Sequence, residues 1–121
     1  MCEMPASLTL GLSPCPNDTF IFHALLHGLV AAPCRFSPHM ADVEELNGLA
    51  LRGELPITKV SAGVLPRIMD GYVILSAGGA LGWGCGPLVV AREPLSPEQC
   101  RTARVAIPRR MTTAAPLLVM T

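Results

Sequence analysis

Leu8-Thr9-Leu10-Gly11-Leu12, then Ser13-Pro14-Cys15-Pro16-Asn17-Asp18, then Thr19-Phe20-Ile21-Phe22-His23-Ala24-Leu25-Leu26 reads as a β-strand, a stiff loop and a helix. The first run is apolar and β-prone. Pro14 and Pro16 cannot donate to a ladder, and they bias Ser13 and Cys15 toward extended backbone. Asn17 or Asp18 is expected to accept from the first free helix N–H groups. A strand that delivers a rigid polar loop to a helix start is how an α/β protein builds the lip of a small-molecule cleft.

Outward from this stretch the alternation continues. His27-Gly28 is a helix stop. Arg35 to Met40 reads as a short strand, placed near an edge because Pro38 removes a donor. Asp42-Val43-Glu44-Glu45 reads as a capping box opening a helix whose apolar stripe is Val43, Leu46, Leu49 and Ala50 and which stops at Arg52-Gly53. Ile57 to Val60 reads as a strand, followed by a helix from a Ser61 cap to about Met69. Tyr72 to Leu75, Pro87 to Ala91 and Arg104 to Ile107 read as further strands, and a last helix starts near Thr112. The order predicts an α/β fold with a mixed, mostly parallel sheet and helices on both faces. Ligands bind such sheets beyond the carboxyl ends of the strands. The turns to examine are therefore Ser13 to Asp18, Thr58 to Ser61, Gly78 to Gly86 and Pro108 to Thr113.

Composition narrows the function classes. With 121 residues the chain is one domain by length, near the low end for a complete α/β enzyme. Nine acids balance nine bases, and aromatic side chains are scarce, which argues against a nucleic-acid surface or an anionic membrane. Half the residues are apolar, which points to a partner surface outside the chain. Cys2, Cys15, Cys34, Cys85 and Cys100 are odd in number and include no C-x-x-C, so reduced thiols in a cytoplasmic protein are expected. Leu12-Ser13-Pro14-Cys15 has the outline of a lipoprotein cleavage box, yet no Lys or Arg precedes it. No apolar stretch is long enough to span a bilayer.

Each candidate residue has a structural and a functional reading. Lys59 can aim an ammonium into a cleft or lie solvated at the surface. Ser61 is expected to cap a helix in either case. The loop Gly78 to Gly86, with five glycines in nine residues, lacks the Lys-Ser/Thr of a phosphate loop and reads first as a hinge or close-approach loop. Thr112-Thr113-Ala114 can cap a helix or offer hydroxyls and free N–H groups to a carboxylate or a sugar hydroxyl. His23 and His27 stand at i and i+4 with no third metal ligand in view. Cys15 has no adjacent histidine to activate it.

Ser13-Pro14-Cys15-Pro16-Asn17-Asp18-Thr19-Phe20-Ile21-Phe22 resembles the signature near the start of the 1,4-dihydroxy-6-naphthoate synthases, lyases of the futalosine route to menaquinone. Asp42 to Asn47, Pro56 to Ser61, Gly78 to Gly82, Gly86 to Ala91 and Thr112 to Ala114 agree with the same family in order and spacing. A related dehydratase of that pathway shares the fold, but the Ser-Pro-Cys-Pro-Asn-Asp string sides with the lyase.

The resemblance implies a lobe like that of type 2 periplasmic binding proteins. Residues 1–107 would be an incomplete first lobe and 108–121 the start of a second. It implies a carbon–carbon lyase that converts cyclic dehypoxanthinyl futalosine to 1,4-dihydroxy-6-naphthoate and dihydroxyacetone, with no metal or organic cofactor. The family's substrate-binding segments fall on Lys59-Val60-Ser61 and Thr113-Ala114. Thr112 and Asn17, from the same turns, complete the candidate set. The family's chains are more than twice this length, and their presumed proton acceptor is a histidine in the second half. His23, His27 and His39 do not correspond to it, so the chain is expected to be a fragment without turnover of its own. Two other classes stay open: a carboxylate-binding module without catalysis, and a remnant with no stable fold.

Overall fold

The computed structural model describes residues 6–120, so Cys2 and Thr121 lie outside the described residues. β1 (Ser7–Leu12), α1 (Pro16–Leu26), β2 (Arg35–Met40), α2 (Val43–Leu51) and β3 (Ile57–Thr58) follow one another. Then come a 3₁₀ turn (Ala62–Val64), α3 (Leu65–Ile68), α4 (Pro97–Thr102) and α5 (Ala114–Met120). The three strands form one sheet in the order β2-β1-β3. Both pairings are parallel, with Gly11 opposite His39 on one side and Thr58 on the other. The α/β alternation expected from the sequence is present, in a smaller sheet whose pairings are parallel throughout.

The central strand is central because its side chains are small or apolar where neighbours press closest. A Cβ on Gly11 would lie 2.5 Å from Thr58 Oγ1 and 2.7 Å from Leu55 Cδ1. The missing methyl therefore lets β3 and the segment before it close on β1. Pro38 sits on β2 at the sheet edge, where its missing donor costs no interior ladder bond. Leu46 and Leu55 pack with Ala41 under the sheet. A second cluster joins Ala50, Val64 and Ile68, with Val60, Tyr72 and Met111 against it. The Tyr72 hydroxyl donates to the Leu55 carbonyl at 2.6 Å and links the two clusters.

The helix stops stand where expected. Gly28 and Gly53 follow α1 and α2 with φ of 66° and 68°, the left-handed region that a side chain disfavours. The starts differ. Asp42 caps α2 through the Glu44 N–H at 2.9 Å, without the reciprocal half of a capping box. A complete capping box occurs instead at Ser96 and Gln99, opening α4, a helix that the sequence reading passed over. Ser61 precedes the 3₁₀ turn but its hydroxyl does not cap it.

Three expected strands are corrected. Tyr72 to Leu75, Pro87 to Ala91 and Arg104 to Ile107 have no strand assignment and no place in the sheet. Val73, within the first of them, is 84 % exposed. The apolar composition of these runs is real, but a strand exists only with a ladder neighbour, and none is paired with them among the described residues.

Candidate functional site

The rim of the sheet is assembled by polar side chains. α1 starts at Pro16 with Cys15 extended before it, and no side chain caps it. Neither Asn17 nor Asp18 serves as the expected cap, because the helix starts at Pro16 and places both inside its first turn, with Cys15 at the cap position. Asp18 turns back instead. Its Oδ2 accepts from the Ser13 N–H at 3.0 Å and from the Ser13 hydroxyl at 2.8 Å. Asp18 is 5 % exposed and is the one buried residue of α1. The two-proline loop is thus closed on a carboxylate rather than on an apolar plug.

Lys59 follows β3, its N–H donating to the Gly11 carbonyl at 2.8 Å. Its ammonium lies 3.6 Å from Asp18 Oδ1 and donates to the Gly78 carbonyl at 2.9 Å. The lysine side chain is 22 % exposed. It is therefore neither a solvated surface lysine nor a fully sequestered one, and it ties β3, α1 and the glycine-rich loop together. Gly78 is suited to that contact. Its φ is 82°, and a Cβ there would come within 3.1 Å of the Phe22 ring. The close-approach reading of this loop holds at Gly78, whereas the strand expected after the loop does not form.

Two residues on, the buried amide of Asn47 grips Ser61. Asn47 Oδ1 accepts from the Ser61 N–H at 2.9 Å, and Nδ2 donates to Ser61 Oγ at 3.1 Å and to the Met111 carbonyl at 3.4 Å. Glu44, also on α2, accepts from the Met111 N–H at 3.2 Å. Met111 is thereby held on both its backbone groups by one helix. Next to it, the Gly63 N–H donates to Thr113 Oγ1 at 3.2 Å. The segments around Ser61 and Thr113, remote in sequence, are clasped together by α2 and the 3₁₀ turn.

The remaining candidates sit apart. The Thr112 hydroxyl donates to the Arg109 carbonyl at 2.9 Å. Val60 packs against the second core cluster. Asn17 lines a shallow hollow of about 680 Å³ with Phe20 and Gly79 to Gly82. Ala114 lines an apolar one of about 770 Å³ with Leu88, Val105 and Leu117. Neither hollow is lined by Lys59, Ser61 or Thr113. α5 has seven residues, and the Thr112 and Thr113 hydroxyls are engaged with Arg109 and Gly63 rather than accepting from first-turn N–H groups as the sequence suggested.

Sequence reasoning missed Asn47, Glu44 and Asp18 as builders of the rim. Asn47 had a legible signal, being an amide on the apolar stripe of α2 between Leu46 and Ala50. The His23 and His27 rings lie against each other at a tilt of 45°, with centroids 4.4 Å apart. Among the described residues no three His, Cys, Asp or Glu side chains gather as a metal site, and no helix is long and apolar enough to cross a membrane. Cys15 Sγ has the Ser13 hydroxyl at 2.9 Å as its neighbour.

A family model described as menaquinone biosynthesis matches residues 8–121. A protein of Thermus thermophilus named 1,4-dihydroxy-6-naphthoate synthase is 55 % identical over 93 % of this chain and 40 % of its own length. One of the same name from Streptomyces coelicolor is 48 % identical over 89 % of this chain and 38 % of its own. The chain thus spans about two fifths of the length of these curated relatives. The crystal structure of a protein from Archaeoglobus fulgidus superposes with a TM-score of 0.87 at 35 % identity, over 96 % of this chain and 43 % of that one.

Proposed function

The chain belongs to the menaquinone biosynthesis family, and on that footing we propose that it carries the substrate-holding part of a 1,4-dihydroxy-6-naphthoate synthase. The reaction is the carbon–carbon cleavage of cyclic dehypoxanthinyl futalosine to 1,4-dihydroxy-6-naphthoate and dihydroxyacetone, without metal or organic cofactor. The fold is that of a type 2 periplasmic-binding-protein lobe, with residues 1–107 in the first lobe and 108–121 entering the second. Lys59, Val60, Ser61, Thr112, Thr113, Ala114 and Asn17 form the substrate-facing set.

The identity of 55 % with the Thermus synthase, over nearly all of this chain, is what carries the reading. Geometry supports it at three of the named residues. Two directions of the Lys59 ammonium are committed to Gly78 and Asp18, which leaves a third N–H for an acid oxygen. The Ser61 and Thr113 hydroxyls are held in one neighbourhood by α2 and the 3₁₀ turn. The role of these residues is to bind and orient; removal of a proton is left to a base outside this set. A carboxylate-binding module without catalysis would share the same corner, and the ring separates the two.

Calorimetric titration tests the proposal. The chain is expected to bind 1,4-dihydroxy-6-naphthoate in preference to succinate, and Lys59→Ala to weaken that binding by about tenfold, the usual worth of a charge-assisted hydrogen bond. Equal affinity for succinate, or an undiminished K59A, overturns it.

A further inference from the structure

We propose that Asn47 sets the hydrogen-bond polarity of the Lys59–Ser61 corner, making Ser61 a donor toward any ligand and the corner selective for a carboxylate over its neutral amide. The inference deepens the preceding reading and rests on it for the placement of the ligand at this corner.

Asn47 is fully buried in the middle of a helix, where asparagine is a poor helix former and an unpaired amide is costly. Its orientation is fixed by partners that cannot exchange roles. The Ser61 N–H can only donate, so the amide oxygen faces it. The Met111 carbonyl can only accept, so the amide nitrogen faces that side. With both ends assigned, Ser61 Oγ at 3.1 Å from Nδ2 must be the acceptor in that contact. Its own hydrogen has no acceptor among the described residues and is left for a ligand. Thr113 repeats the pattern. Its Oγ1 accepts from the Gly63 N–H at 3.2 Å, which frees its hydrogen likewise.

Lys59 has donors alone. These three side chains therefore present donors and no acceptor, while the Asp18 carboxylate beside Lys59 is turned to the ammonium and to Ser13. A carboxylate, which only accepts, matches them. An amide turns an NH₂ group toward at least one donor, and a site built to hydrogen-bond one partner rejects the mismatched one strongly. Asn47 touches Ser61 and not the ligand, so it is a positioning residue.

The probes are 2-naphthoate and 2-naphthamide, titrated to millimolar concentration while the Ser61, Gly63 and Thr113 amide resonances of the 121-residue chain are followed by NMR. We expect 2-naphthoate to bind at least about tenfold tighter than 2-naphthamide, and Ser61→Ala to remove most of that preference. Asn47→Asp is isosteric but only accepts, so it recruits the Ser61 hydrogen and turns lone pairs to the ligand. It also adds charge, which a double-mutant cycle removes. The loss caused by N47D should shrink several-fold in the S61A background.

Additive effects of N47D and S61A overturn the inference. So does a wild-type chain that binds both probes equally, or neither. If N47D does not fold, the S61A comparison still decides, because an unchanged preference in S61A contradicts it. Selective 2-naphthoate binding with the expected coupling, but no tighter binding of 1,4-dihydroxy-6-naphthoate, upholds the inference and overturns the synthase reading.

Discussion

A hydrogen where other residues carry a methyl holds three elements together at position 11. The Cβ of an alanine there would stand 2.5 Å from Thr58 Oγ1, 2.7 Å from Leu55 Cδ1 and 3.0 Å from Leu46 Cδ2. Real side-chain contacts do not reach such distances, so β3 or the core must move. Gly11→Ala should lower stability by ~1–3 kcal/mol, the usual cost of overpacking. Urea unfolding would show it as a lower midpoint with an unchanged slope; a stability equal to wild type contradicts the close approach. At this scale the sequence was informative about which residues are polar and where they fall, and Lys59 and Ser61 were singled out that way. It was silent about partners. Ser61 read as a cap, yet Asn47 takes its N–H and its hydroxyl oxygen. Asp18 read as a cap, yet it accepts from Ser13. A short polar side chain has several backbone groups in reach, and the loop geometry chooses among them.

Helix stops were the most legible features, because a glycine at positive φ acts over four or five residues, whereas among the expected starts only Asp42 caps its helix. Their energetic weight depends on what the helix buries. α2 carries Leu46, Asn47 and Ala50 into the interior, whereas α4 buries nothing. Asp42→Ala removes the acceptor for the Glu44 N–H and should cost ~1 kcal/mol of global stability, a typical N-cap value. Ser96→Ala breaks a more complete capping box but should leave the global unfolding midpoint unchanged, because α4 can fray alone. Equal losses from the two substitutions would contradict this division. The strands fared worse. Tyr72 to Leu75 has the composition of a buried strand, yet Ile74 and Leu75 are exposed. A helix satisfies its own backbone, while a strand needs a second segment whose identity its own residues do not name.

Across the whole chain the order is uneven. The two core clusters draw on residues 41 to 72 and Met111, and the sheet adds β1 and β2. From Val73 to Cys100 no described residue is buried, and Gly78 alone is half-buried. Hydrogen exchange should divide accordingly, with amides of β1 and α2 the slowest and those between Val73 and Ala91 exchanging without measurable protection. Protection of that stretch equal to α2 would contradict the exposure described here. By itself the sequence determined the α/β alternation, the helix stops, the neutral charge, the family likeness and the polar residues at the turns, because each is written in local pattern or literal string. Tertiary structure alone decided which runs became strands, that Asn47 and Glu44 clasp Met111, and that Lys59 reaches Asp18 and Gly78. Those contacts join residues 19 to 67 positions apart, and contact at such separation depends on how the chain packs rather than on any local preference.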